Sequence, residues 1–301
     1  MTQNSDIRAA WLLGLTGFAL LSLGDSVVKS IAGEWPGTAV AALRFALGAA
    51  GLGAILWLRE GRAGFAAPRI GVQAARGAAL ALASCMFFLA VYAMPLAEAT
   101  AIQFVSPMLT ALLSAWLLHE RIGARTWGAI LLAFTGVLIV LRPNVAELGV
   151  AALLPLGAAV GMAALVLLNR RSGADVSPLA AQFFVAVFAA PFLLVAAVAG
   201  HVSGVKALTI GWPDAGVVVR CALVAVTAST AHWLLYRATL RASAAAIAPT
   251  VYIQIVAATL IGIVWFGDWP DAVAVGGTAM IIAAGLWLWY GGRAGGQEGK
   301  A

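Results

Sequence analysis

The sequence predicts an all-α integral membrane protein: ten transmembrane helices arranged as a 5+5 inverted repeat, with both termini in the cytoplasm. Three observations predict it. Of 301 residues, 63% are hydrophobic and 10% charged, whereas soluble domains carry about a quarter charged residues. The apolar residues come in runs of about twenty, the helix length that crosses roughly 30 Å of hydrocarbon. Basic residues fall almost entirely on alternate connections. The runs do not alternate polar and apolar residues, which sets aside a transmembrane β-barrel.

The ten spans are read at 11–31, 36–57, 75–95, 98–118, 126–142, 148–168, 178–199, 215–236, 243–265 and 271–290. The leader "MTQNSDIR" is too polar for a secretory signal, so the first span is expected to be retained. Later starts carry local signals. Ser177 is a cap with Pro178 in the first turn, and "WPDA" twice places a proline and an aspartate (Pro213 with Asp214, Pro270 with Asp271) at a helix start. Cys85 and Cys221 lie inside apolar runs and read as free thiols behaving as small hydrophobes.

Thirteen basic residues, from Arg8 to Lys300, fall on the side of the N-terminus, against Arg142 and Lys206 opposite; Lys29, Arg44 and Arg220 lie within spans. That bias is the positive-inside pattern. It also explains the pI of about 9.9 without nucleic acid as a partner. The partners this composition calls for are a lipid bilayer and a small-molecule substrate. Tryptophans cluster near predicted span ends, as interfacial belts require.

"LLSAWLLHERIGARTWGAI" and "LIGIVWFGDWPDAVAVGGT" align at an offset of 148, so Glu120 meets Asp268 and Gly128 meets Gly276. The halves are then 1–142 and 143–301, five spans each, the second ending in a cytoplasmic tail. An odd number of spans forces the two copies to enter the membrane from opposite sides. Such repeats exchange conformations by swapping the shapes of their halves.

The stretch "EATAIQFVSPMLTALLSAWLLHERIGARTWGAILLAFTGVLIVLRP" resembles the fourth and fifth spans of the drug/metabolite transporter superfamily, EamA branch. It shares Pro107 within a span, Glu120 at its end and the Gly128–Gly136 helix. "ALRFALG" around Arg44 and the lysine closing span one resemble that family's first helical pair. The second half departs from the pattern, with Asp268 for the usual glutamate and no proline at Ile255. The resemblance implies a central cavity lined by spans one, three, four, six, eight and nine, and it is nearest to bacterial exporters of aromatic amino acids and related metabolites.

Asp25 and Lys29 share one face of the first span, and Arg44 lies at the depth of Asp25 across the hairpin. Their distance from the turn, about 15 Å at 1.5 Å per residue, is close to the bilayer centre. A lone charge there costs several kcal/mol, so an Asp25–Arg44 ion pair is expected, with the cluster bordering the pathway as the alternative. Lys29 is expected to snorkel outward.

Polar groups at membrane depth point to a wet cavity or to interhelical bonds. The candidates for the cavity are Phe88, Tyr92, Gln103, Ser106, Thr227, Thr230, Tyr252 and Gln254; the aromatic members suit a planar or cationic substrate. Gln103 and Gln254 stand out because each amide has several bonds to satisfy. Pro107 and Pro249 remove backbone donors and are expected to break or kink their spans. His232 reads as too near the interface for a central role, and Gly157 with Gly161 as a close-packing seam.

Three scattered histidines provide no metal centre, and no nucleophile sits beside a positioned base, so an enzyme is disfavoured and no cofactor is implied. A channel would need a filter or rings of charge. No nucleotide-binding loop is present. The expectation is a bacterial inner-membrane exporter, functional as a monomer, carrying small amphipathic metabolites by facilitated alternating access, with proton coupling through Asp25 as the variant. A channel-like pore or a membrane-embedded enzyme is the alternative.

Overall fold

The computed structural model describes residues 2–66, 69–118, 122–171 and 176–298. Among them there is no strand, and 87% of the chain is helix. Ten stretches are long and apolar enough to cross a membrane, from Asp6–Lys29 to Ala272–Tyr290. We label the helices α1 (Thr2–Lys29), α2 (Gly37–Glu60), α3 (Ile70–Ala93), α4 (Leu96–Gln103), α5 (Ser106–Leu118), α6 (Ala124–Leu148), α7 (Leu154–Arg171), α8 (Pro178–Val202), α9 (Ala215–Thr239), α10 (Ala244–Ile247), α11 (Ile253–Ile261) and α12 (Ala272–Glu298).

The starts form as their sequences dictate. Ser177 Oγ accepts from Ala180 N at 3.1 Å with Pro178 at the first helical position. Asp214 Oδ1 accepts from Gly216 N at 2.7 Å, and Asp271 Oδ1 from Ala274 N at 2.5 Å. Each satisfies a donor that the first turn would otherwise leave open.

Two spans are broken, and both contain the singled-out prolines. The fourth divides at Phe104–Val105 into α4 and α5, with Pro107 in the first turn of α5. Because Pro107 has no N–H, the carbonyl of Gln103 has no donor four residues on. The ninth passes from α10 through a 3-10 turn at Ala248–Tyr252, containing Pro249, into α11, and ends in a π-turn at Gly262–Phe266.

Helix α1 packs along α9, α2 along α8, α3 between α7 and α8, and α6 along α12. The predicted glycine seam is real on one side. A Cβ at Gly161 would lie 2.6 Å from Ala83 N, so α7 approaches the α3 backbone only because that atom is missing. Gly136 and Gly277 do the same for α6 and α12, where a Cβ on either would meet the other's carbonyl oxygen at 2.7–2.8 Å. Small residues at such crossings are how helices associate where hydrocarbon supplies no hydrophobic drive. The outward faces stay apolar, with Leu131 and Leu138 on α6 and Leu194 and Val195 on α8 all exposed. Cys85 and Cys221 are buried free thiols. The expected junction at residue 142 lies within α6, near its end, and Glu120 lies outside the described residues.

Candidate substrate site

The inner faces of eight spans enclose one cavity of about 530 Å3. Spans two and seven join the six expected, through Arg44, Phe45, Gly48 and Leu52 on α2 and Ala181, Gln182, Val185 and Ala186 on α8. Among the described residues, spans five and ten contribute none of the lining. Toward the face that carries both termini the lining reaches near the helix ends, at Asn169, Ala181, Leu235 and Arg76. Toward the opposite face it stops at Asp25, Arg44, Phe88 and Gln103.

Asp25 and Arg44 both line the cavity, yet they do not form the expected ion pair. Asp25 Oδ2 accepts from Gln254 Nε2 at 3.3 Å. Gln254 is itself tied down, since its backbone carbonyl accepts from Ser22 Oγ of α1 at 2.6 Å. The Arg44 guanidinium instead lies over the rings of Phe45, at 4.4 Å, and Phe88, at 5.5 Å. The aromatic faces attract the cation and hold it in place without using its five donors. Similar depth, the basis of the expectation, does not ensure contact, because helix rotation and the Phe45–Phe88 shelf decide where a long side chain rests.

Lys29 does not snorkel. Its ammonium donates to Asp268 Oδ2 at 2.6 Å and to the Met94 carbonyl at 3.0 Å, with the Phe266 ring 5.1 Å away. This pair joins the end of the first span to the end of the ninth, with side chains only 13% and 23% exposed. Beside it Arg220 Nη1 donates to Glu34 Oε1 and to the Ser30 carbonyl, both at 2.9 Å, and Nη2 pairs with Glu34 Oε2. The Arg220 guanidinium holds the Glu34 carboxyl below the usual carboxylate range. Trp35 Nε1 donates to the Gly211 carbonyl at 2.9 Å, and Tyr92 OH donates to the Trp35 carbonyl at 3.2 Å. Together these contacts close the cavity on the face opposite the termini.

Four of the eight predicted cavity residues line it: Phe88, Gln103, Ser106 and Gln254. Tyr92 belongs to the closed end. Thr227 is buried, donates to the Val224 carbonyl at 3.1 Å and packs at Gly24. Thr230 is exposed away from the cavity, whose wall on α9 is Ala225, Ala228, Ser229, His232 and Leu235. Tyr252 stacks on Phe104 with centroids 5.9 Å apart. The polar stripe on the fourth span also divides, because Thr110 donates back to the Ser106 carbonyl at 2.8 Å and Ser114 is buried without a partner.

The cavity has polar residues that sequence reasoning passed over. His232 is on the wall, with Nδ1 2.7 Å from the Ala228 carbonyl. Arg76, counted from sequence only among the basic residues on the side of the N-terminus, lies in α3 at 7% exposure; its Nε donates to Asn169 Oδ1 at 2.7 Å and Nη1 to Gln73 Oε1 at 2.6 Å. Gln182 and Ser229 complete the set. Arg76, Gln182 and His232 lie in the third of their spans nearest the termini, which a search for mid-membrane polarity does not cover; Ser229 lies nearer the middle of α9. An unusually dense run of Arg, Asn and Gln at the starts and ends of apolar segments is the signal that would have found them.

Residues 8–142 match the EamA-like transporter family. Over nearly its whole length the chain is similar to the S-adenosylmethionine uptake transporter of Rickettsia prowazekii, at 24% identity with 95% of each chain covered. It is similar to the pseudopaline exporter of Pseudomonas aeruginosa, at 27% identity over 92% of this chain and 95% of that one. The riboflavin transporter of Rhizobium johnstonii is 27% identical over 65% of this chain and 62% of its own. A chain of known crystal structure shares the fold with a TM-score of 0.60 at 20% identity, covering 93% of this chain and 96% of that one. Ten candidate membrane spans, eight of them lining a polar cavity, and these matches describe a multi-pass membrane protein whose first half, residues 8–142, matches the EamA-like transporter family and which over nearly its whole length is similar to transporters of small metabolites.

Proposed function

We propose that the protein exports small amphipathic metabolites, aromatic amino acids first among them, across a bacterial inner membrane by facilitated alternating access. The observation that carries this reading is the cavity between the halves, which reaches toward one face and is closed at the other by the Lys29–Asp268 pair. Positive-inside asymmetry supports a cytoplasmic location for the face carrying the termini. The cavity is then loaded from inside, as an exporter requires. Aromatic walls at Phe18, Phe87 and Phe104, beside opposite charges at Asp25 and Arg44, suit a substrate with a planar ring and a charged end.

Direction is argued from this geometry, because the similar proteins include both an uptake transporter and an exporter. Packing supports an inverted repeat. Exchanging each span for its counterpart five later turns the α1–α9 pair into α7–α3 and returns α2–α8 and α6–α12 to themselves. A rocking of one half on the other would break Lys29 from Asp268 and open the far face. No second copy is needed to complete the cavity, which supports a functional monomer.

The test is counterflow of labelled phenylalanine and tryptophan in proteoliposomes, with and without a pH gradient. Saturable flux of both, independent of the gradient and reduced several-fold in Gln254→Ala, is the expected result. A gradient effect abolished by Asp25→Asn would replace facilitated export with proton coupling. No flux of either amino acid would overturn the substrate.

A further inference from the structure

Arg44 is an unusual group to leave unbonded at this depth. Among the described residues it makes no hydrogen bond and no ion pair, and it rests on the rings of Phe45 and Phe88. A guanidinium has five N–H donors in a planar fork that matches a carboxylate, and withholding acceptors from it in a low-dielectric site is costly. The nearest carboxylate in the chamber, Asp25, is similarly under-used. Its Oδ2 accepts the one bond from Gln254, at 3.3 Å, and Oδ1 has no donor. Among the described residues lining the cavity Asp25 is the only carboxylate.

The two groups lie within about one helical turn of the same level. Asp25 is four residues from the end of α1 and Arg44 seven from the start of α2, about 6 Å and 10 Å along their helices at 1.5 Å per residue. They are opposite in sign, face one chamber and are not in contact. Each is held on its own side: Asp25 by Gln254, whose backbone is anchored to Ser22, and Arg44 by its two rings. A ligand carrying both charges on neighbouring atoms would supply both missing partners at once. Phe45 and Phe88 are occupied by the guanidinium, so Phe18, Phe87 and Phe104 remain for an apolar side chain.

We propose that Arg44 and Asp25, with Gln254, form a zwitterion clamp: Arg44 takes the substrate's α-carboxylate in a bidentate pair, and Asp25 its α-ammonium. The clamp rests on the amino-acid reading above and sharpens it, because it requires both charges of the amino acid. Molecules with only one charge leave one jaw desolvated and unpaired. The preserved gap between the jaws is the room for the substrate. A direct Asp25–Arg44 pair in the empty site would have to be broken at every turnover.

The test is competition against labelled phenylalanine on the purified full-length protein in nanodiscs. The competitors are phenethylamine, which lacks the carboxylate, and 3-phenylpropionate, which lacks the ammonium. Each should compete about 10- to 100-fold more weakly than phenylalanine with the wild type, the range of one lost charge-assisted hydrogen bond. Asp25→Asn should bind phenylalanine more weakly while holding 3-phenylpropionate at least as well as the wild type. Arg44→Gln should show the converse preference for phenethylamine. This crossed pattern cannot come from misfolding, since each variant retains one ligand. Wild-type competition by both analogues as strong as by phenylalanine overturns the clamp and leaves the amino-acid reading standing. Parallel loss of both analogues in both variants also overturns it. A wild type that binds no phenylalanine overturns the substrate reading and the clamp with it.

Discussion

Asp25 and Lys29 lie one turn apart on α1 and differ in almost every physical respect. Lys29 is paired, bonded to a backbone carbonyl and closed over by Phe266, where the first span meets the end of the ninth. Asp25 faces an open chamber with a single amide for company, and its opposite charge stands off on an aromatic shelf. The first arrangement stabilises one conformation. The second leaves interaction energy to be completed by something that arrives. Charge inside a membrane therefore has two uses here, and pairing geometry separates them where spacing does not.

Breaking the open set should affect transport most. Arg44→Gln is expected to lower phenylalanine kcat/KM in counterflow about 10- to 100-fold, the worth of a charged hydrogen bond. Its melting temperature in detergent should stay near that of the wild type, because no partner is orphaned. Arg44→Lys should recover only part of the flux, since an ammonium cannot form the fork.

Breaking the closed set should show the reverse emphasis. Asp268→Asn leaves the Lys29 ammonium with a neutral partner, and is expected to cost about 1–3 kcal/mol of stability. The doubly reversed variant, Lys29→Asp with Asp268→Lys, should restore part of that loss in thermal unfolding. Opening of the far face should appear as faster labelling of a cysteine placed at Tyr92.

Gln254→Ala sharpens the contrast from the open side. It removes the one hydrogen bond to Asp25 but not the charge, so flux should fall only several-fold, whereas Asp25→Asn shifts the preference toward 3-phenylpropionate. Stability should change little, because the Ser22 bond goes to the Gln254 backbone and survives.

The smallest effect is expected at Glu34 and Arg220. With its carboxyl held below the usual range, Glu34 contributes fully above about pH 4.3, the ordinary carboxylate value, and less as pH falls through its lowered one. The pair is solvent-exposed and screened. Melting curves of wild type and Glu34→Gln should differ slightly at neutral pH and converge on acidification.

Much of this molecule is legible without coordinates. Ser177 with Pro178, Asp214 and Asp271 announce three helix starts because caps act within four residues. Pro107 and Pro249 announce two breaks for the same local reason. Gln103 and Gln254 reach the cavity because an amide at membrane depth has few other places to go. The threonines on α9 show the limit. Thr227 and Thr230 share a face, but the cavity wall runs through Ser229 and His232, a rotation of about 100° at one residue. Nothing in the order of residues along a helix says which of two faces its neighbours will leave open.

The sequence by itself determined the ten spans, their caps and breaks, and the alternation of basic connections, because hydrocarbon thickness and backbone hydrogen bonding act locally along the chain. Tertiary structure alone decided which charges meet. Lys29 finds Asp268 across 239 positions of sequence, while Arg44, at the depth of Asp25, is turned onto Phe45 and Phe88. A side chain's partner depends on how helices rotate and cross, and that is set by the summed packing of all ten spans.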